Sequence, residues 1–412
     1  MLKYVEKIFT VAMLFYAAGA ILPQIIGASS GLSRAEGNPL ALAVQMALYS
    51  VAFCFIALDW PRFLDGARRA RWVVALSLIA AASAAWSQDP VFTLRRSAVL
   101  FATTAFGVYF GSRYSISEQL RLLAWTCALI VLTSFGLGLF LPDYGVDHLL
   151  HPGDWRGVFI HKNVLARVML LSVLVFHFVR PTIFGKLRWV GIAACLGLLA
   201  LSRSVTGVVV FALLLATLPL WRLVRSNLTI IIPAGIVIGF VTVGAAVLVA
   251  MHGRELLDVL HRSPTLTGRT DLWPAVLVSI GKRPWLGYGF NAFWMGMQGE
   301  SASVITRLGW APAHAHNGFF DLLLDLGILG LGTFLAGYLS LWNKSLRLLR
   351  SATGPYPVWL CVYLVFMFVY NLAESSILVQ NNLFWILYVS AASTLAALFP
   401  EEYLSAKVVS QT

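Results

Sequence analysis

Apolar runs of about the length needed to cross a bilayer alternate along this chain with short polar segments. Twelve such runs predict helices at roughly 8–27, 39–58, 72–86, 95–111, 120–141, 163–180, 186–202, 204–222, 228–251, 317–341, 356–374 and 381–399. Lys3 and Lys7 precede the first run, as in a signal peptide. That run is long for a signal h-region and a second follows soon after, so it reads as a helix. Between 252 and 316 the pattern lapses, leaving one long loop in which 275–280 is amphipathic and suited to the membrane interface. The expected fold is an all-α polytopic membrane protein with about 12 transmembrane helices. It forms a single transmembrane domain over 1–412 that holds the loop at 252–316 and a motif-bearing helix at 317–341.

Composition narrows the class. Mean hydropathy is +0.80, hydrophobic residues make up 59% and charged residues 12% of the chain. A soluble domain carries roughly 25% charged residues, so a soluble globular enzyme is excluded. The net charge is 30 − 18 = +12. In a soluble protein that excess would suggest nucleic acid; here it answers to the positive-inside rule. With the N-terminus in the cytoplasm, more than half of the 30 Lys and Arg fall on the cytoplasmic side. The N and C termini are then both cytoplasmic, 252–316 is periplasmic, and the partner implied is the lipid bilayer with no nucleic acid. Cys54, Cys127, Cys195 and Cys361 all lie in apolar stretches, with no disulfide framework and no CxxC pair.

The cations left on the outer side are informative because topology does not require them. Arg156, His161 and Lys162 cluster where a helix begins, with Asn163 as the expected cap. A helix N-terminus among cations is an anion site, and interfacial snorkelling of Lys162 is an equal alternative. Arg203 stands in the tight turn Leu201-Ser202-Arg203-Ser204 with no acidic residue near it in sequence. It either pairs with a bound phosphate through its two-pronged guanidinium or snorkels to the surface. The long loop contributes Arg269, in Leu266-Thr267-Gly268-Arg269-Thr270-Asp271, ahead of a short helix with Pro274 in its first turn. Gly287 and Gly289 suit turns. The chain contains no GxxxxGK[ST] and no GxGxxG, which disfavours a nucleotide-driven enzyme.

The run at 317–341 is preceded by Pro312-Ala313-His314-Ala315-His316-Asn317. At 100° per residue, Gly327 falls about 20° and Gly330 about 40° from His316. A continuous helix would put them on one stripe, a groove for a neighbouring helix or a lipid tail. Asp321 and Asp325 lie one turn apart in the same run, and intramembrane carboxylates face a cavity or a partner. His314 and His316 at i, i+2 do not converge on a helix, and no third ligand is spaced near them, so no metal is expected.

These residues resemble a known family. His316-Asn317, nine residues, Gly327, two residues and Gly330 match the H-N-x9-G-x-x-G signature of the O-antigen ligase and O-antigen polymerase superfamily. The segments 157–163, 266–270 and 283–290 look like its exopolysaccharide-production branch. The resemblance implies a GT-C-like, inverting, metal-independent glycosyltransferase without a cofactor, in the bacterial inner membrane, with its active site facing the periplasm. The donor would be a glycan on undecaprenyl diphosphate and the acceptor a second glycan or lipid A–core. His316 would be the base, with Arg203, Arg269 and Arg156 on the diphosphate. His161, Lys162, Asn317 and His314 would support, and Gly327 and Gly330 would line a lipid groove. A polytopic lipid or polysaccharide transporter or flippase is the alternative; such proteins show internal repeats and charged or broken helices at mid-membrane.

Overall fold

A computed structural model of the chain describes residues 1–20, 39–149, 151–180, 184–226, 267–352 and 354–398. The expected span at 228–251 and the first half of the long loop, 252–266, lie outside these residues. Within them the apolar runs are helices and no strand forms, since only a helix satisfies every backbone group within its own segment. The helices are α1 Leu2–Ala17, α2 Pro39–Leu58, α3 Trp60–Arg69, α4 Arg71–Ala82, α5 Pro90–Arg113, α6 Ile116–Phe140, α7 Lys162–Phe178, α8 Leu187–Leu201 and α9 Val205–Ser226. They continue with α10 Thr267–Lys282, α11 Ser301–Leu308, α12 Gly318–Ser351, α13 Tyr356–Asn371 and α14 Leu383–Leu398.

Four of these, α2, α5, α6 and α12, are long and apolar enough to cross a membrane by themselves; α4, α8, α9, α13 and α14 are shorter apolar helices. Large apolar side chains such as Leu132, Phe140 and Val190 stand exposed on the helix surfaces, as a lipid-solvated surface requires. Helix α3 at Trp60–Arg69 is not expected from the apolar pattern, and the boundaries differ most from expectation in three places. Helix α1 starts at Leu2 and ends at Ala17, followed by Gly19 at φ 80°. Helix α10 begins at Thr267, so Pro274 sits inside it and not in its first turn. Helix α12 runs on to Ser351.

The core is built on α14, which packs chiefly against α5. The contact is close because Gly107 and Gly111 face it; a Cβ on Gly111 would lie 2.5 Å from the carbonyl oxygen of Ser390. Trp385 of α14 is fully buried and donates its indole N–H to Thr104 at 3.1 Å. On the other flank α8 packs on α7, and α1 on α6.

Helix α12 is two helices joined at Gly327, where φ is 61° and ψ −158°. The backbone groups freed by the break are taken up by the segment 284–289. Tyr288 N–H donates to the Leu324 carbonyl at 2.7 Å and Gly289 N–H to the Asp325 carbonyl at 3.0 Å. In return the N–H groups of Ile328 and Leu329 donate to the carbonyls of Pro284 and Trp285 at 2.8 and 3.2 Å. Broken helices survive in an apolar environment when protein supplies such partners. The single-stripe geometry is therefore corrected. His316 lies outside α12, and the space beside Gly327 is filled by backbone: a Cβ there would meet Trp285 C at 2.3 Å. The confined space beside Gly330 belongs to Leu326 of the same helix.

Candidate active site

Three turns converge at one end of the bundle: the approach to α12 at 311–317, the α13–α14 connection at 372–382, and the start of α7. Asn317 caps α12, its Oδ1 accepting from Phe319 and Phe320 N–H at 3.0 and 3.2 Å. Its amide also donates to the Leu372 carbonyl at 3.4 Å, tying the first turn to the second. Buried Asn371 shapes that second turn. Its Oδ1 accepts from Ser376 and Ile377 N–H at 2.8 and 3.2 Å, and its Nδ2 donates to Ser376 Oγ at 2.8 Å.

These caps bring His316 to Glu374, with Nδ1 3.3 Å from Oε2. The other carboxylate oxygen of Glu374 accepts from Asn163 Nδ2 at 3.2 Å, and Asn163 Oδ1 accepts from Ser204 Oγ at 3.0 Å. Asn163 is thus a bridge between three elements and not the α7 cap; His161 is the cap, its Nδ1 accepting from Asn163 N–H at 3.2 Å. His316 has φ 50°, a left-handed value uncommon outside glycine. Arg203 (φ 47°), Asn291 (φ 57°) and Leu378 (φ 57°) share that conformation, and such strain concentrates at functional sites.

The His314 ring lies against that of His316, tilted by 51° with centroids 4.1 Å apart, and its Nδ1 accepts from His316 N–H at 3.1 Å. Enclosure in the protein, and next the neighbouring His316, push the His314 pKa below the usual imidazole value. Asp321 underpins the turn. Its Oδ1 accepts from Ala315 N–H and Trp294 Nε1, both at 2.9 Å, and its Oδ2 from the Ser375 hydroxyl. Arg167, one turn along α7 from Asn163, reaches the Ser375 carbonyl at 3.4 Å and lies over the rings of Tyr370 and Phe384.

The cation cluster of the α7 start is present but less free than its sequence suggests. Asp154, eight residues before Lys162, accepts from Lys162 Nζ at 2.6 Å and lies 3.5 Å from Arg203 Nη1. Arg203 remains exposed and Lys162 is mostly enclosed. Arg156 donates from Nε and Nη2 to the Tyr144 and Asp143 carbonyls, each at 3.0 Å. These two bonds anchor the loop at the start of α7. His161 packs edge-on to His151 at 5.5 Å, and its pKa is lowered by burial first and by His151 next. Arg269 lies in α10, but its side chain is outside the described residues.

A cavity of about 620 Å³ opens beside this centre, lined among others by Arg96, Trp294, His314, Asp321 and Asp325. Asp325 thus faces a cavity, as an acidic residue inside an apolar helix should. One reading of the spacing changes. His314 and His316 do acquire a third neighbour, since ligand atoms of His314, His316 and Glu374 lie within 4.8 Å of one another. That set has the donor types of a transition-metal site, although His314 Nδ1 is engaged by a backbone N–H. Sequence reasoning missed Glu374, Asn163 as a bridge, Arg167 and Asp154. Glu374 had a signal: it is an acidic residue within an apolar stretch.

The sequence is similar to proteins that handle polysaccharides. A family model described as O-antigen ligase matches residues 190–335, a segment that includes Arg203, Arg269, His316, Gly327 and Gly330. The exopolysaccharide production protein ExoQ of Rhizobium meliloti (strain 1021) is 26% identical over 305 residues, covering 69% of this chain and 67% of that protein. The putative polysaccharide ligase RP358 of Rickettsia prowazekii (strain Madrid E) is 29% identical over 121 residues, 28% of this chain and 30% of that protein. With its apolar helices and its histidine motif, the chain is similar to proteins of the O-antigen ligase and polymerase superfamily, and its helices point to a membrane protein.

Proposed function

We propose that the chain is a glycosyltransferase that moves or polymerises glycan from an undecaprenyl-diphosphate-linked donor at the periplasmic face of the bacterial inner membrane. About twelve spans in a GT-C-like arrangement would carry it, with both termini cytoplasmic. The observation that supports this reading best is the His316–Glu374 pair, 3.3 Å apart beside a cavity large enough for sugars. A proton on His316 Nδ1 donated to Glu374 leaves Nε2 with the lone pair. The acceptor hydroxyl then attacks the anomeric carbon of the donor while His316 Nε2 takes its proton. The bond from that carbon to the diphosphate oxygen breaks with inversion, and the undecaprenyl diphosphate leaves with the electron pair. Glu374 orients the ring and stabilises the imidazolium formed in that step.

The leaving group carries its own activation, so the site must chiefly stabilise charge. Arg203 and Arg269 are the diphosphate ligands in this reading. Asp154 holds Arg203 and Lys162 together until a more highly charged partner arrives, and Arg167 adds positive potential behind the histidine pair. A hydrogen-bonded His–Glu pair needs no metal to accept a proton. A polymerase and a ligase would differ only in whether the acceptor is another lipid-linked glycan or lipid A–core. The break in α12, like Asp321 and Asp325, is a feature that a transporter would also show, but here protein backbone fills the break.

Substitution of the arginines tests the assignment. Arg203→Ala and Arg269→Ala are expected to abolish polymer output in cells while the protein still inserts. Each loses a charge-assisted contact worth roughly 1.5–3 kcal/mol. Lysine should restore output only in part, because it lacks the fork. Normal output from both alanine variants would show that the diphosphate is held elsewhere.

A further inference from the structure

The cavity beside His314 contains a cation that the reaction above does not use. Arg96 stands in the second turn of α5 and is partly buried. Its guanidinium carbon lies 4.9 Å from the centre of the Phe92 ring. Among the described residues, its contact is this aromatic one, with no protein hydrogen bond or ion pair. A guanidinium that lines a cavity and has no protein acceptor is available to pair with an anion that enters it.

The rest of the lining shows what kind of molecule would bring that anion. Trp294 and Phe92 offer flat apolar faces, while the amide of Asn291 and the carboxyl of Asp325 offer hydrogen-bonding groups. The Trp294 ring is fixed because its N–H is held by Asp321. Asp321 already accepts from Ala315, Trp294 and Ser375, which leaves it little capacity for a ligand. A fixed aromatic plate ringed by hydrogen-bonding side chains suits a polyhydroxylated ring with one apolar face.

We propose that this cavity seats a sugar of the glycan that carries a carboxylate, with Arg96 gripping the carboxylate, Asp325 accepting from ring hydroxyls and Trp294 lying against the ring. This rests on the transferase reading of the neighbouring His316 site and gives that site a substrate class: acidic, uronate-type glycans. The planar, two-pronged guanidinium matches a carboxylate geometrically. The same fork would accept a diphosphate, so the two sources of negative charge have to be separated by experiment.

The full chain in lipid nanodiscs is titrated with glucuronic acid, glucose and inorganic pyrophosphate, with saturation-transfer NMR reporting contact. Glucuronic acid is expected to bind and glucose to bind at least about tenfold more weakly. Arg96→Gln should weaken glucuronic acid binding by about 10–100-fold, and Arg96→Lys by less. Thermal melting of both variants checks that they are folded. Binding is read on the Arg96 variants and transfer on His316→Ala, so loss of transfer and loss of binding remain distinguishable. Three outcomes would overturn the proposal: equal binding of glucose and glucuronic acid, pyrophosphate displacing glucuronic acid with Arg96-dependent affinity of its own, or glucuronic acid binding unchanged in a folded Arg96→Gln variant.

Discussion

His314 is a residue whose protonation the fold opposes, and that gives the site a pH dependence. Its folded pKa lies below the usual 6.5 because enclosure and the adjacent His316 disfavour the cation, against the weaker opposite pull of Asp321 and Glu374. The folded state therefore binds fewer protons than the unfolded state as acid is added. Stability from this group is complete above 6.5 and is lost as pH falls toward the folded value. Melting curves of purified protein between about pH 5 and 8 should show an acid limb that His314→Gln flattens. An unaltered limb would assign the acid sensitivity to another group. At this scale the sequence was legible where a residue acts through its own position: His316, Arg203 and Asn317 stand out from their motif or turn. It was silent where a residue acts through a partner far along the chain. Glu374 is 58 residues beyond His316, and Asp154 is reached by Arg203 only because two connections fold toward each other.

The glycines of the two motif segments make sense as elements meeting each other. Gly327 breaks α12 with a backbone conformation open to glycine alone, and Gly287, at φ 66°, passes so near that a Cβ on it would sit 2.5 Å from the Leu324 carbonyl oxygen. The signature glycine and the Pro-Trp-Leu-Gly-Tyr-Gly segment are two halves of one joint, which carries the 290–298 side of the cavity into place. Gly327→Ala should destabilise the protein by roughly 1–3 kcal/mol or more, because both the dihedral angles and the space forbid it. Gly287→Ala should do likewise. Gly281→Ala in α10, where nothing lies within 4 Å of the added carbon, should be neutral or slightly stabilising. Equal melting temperatures for Gly327→Ala and Gly281→Ala would contradict the joint. The hydrophobic periodicity located these helices well because burial in lipid leaves little choice of secondary structure. It could not reveal the break, since an apolar run interrupted by one glycine has the same pattern whether the helix is straight or broken.

For the molecule as a whole, the placement of its charges governs orientation. The proposed topology sets the site, the cavity and the segment 284–310 on the periplasmic side and both termini in the cytoplasm. Gln298→Cys, at the rim of the cavity, should react with a membrane-impermeant thiol reagent in intact spheroplasts. Labelling only after lysis would reverse the orientation and remove the periplasmic reading. The most direct test of the central claim, that His316 held by Glu374 is the base of a metal-independent glycan transfer, is the rate of transfer by His316→Ala in purified protein. The protein is supplied with an undecaprenyl-diphosphate-linked glycan and the product is measured by mass spectrometry with and without a chelator. The account predicts a loss of about 10²–10⁴-fold in a folded variant, a smaller loss for Glu374→Gln, and a parental rate that the chelator leaves unchanged. A His316→Ala protein that still transfers at the parental rate, or a parental rate abolished by the chelator, would contradict it.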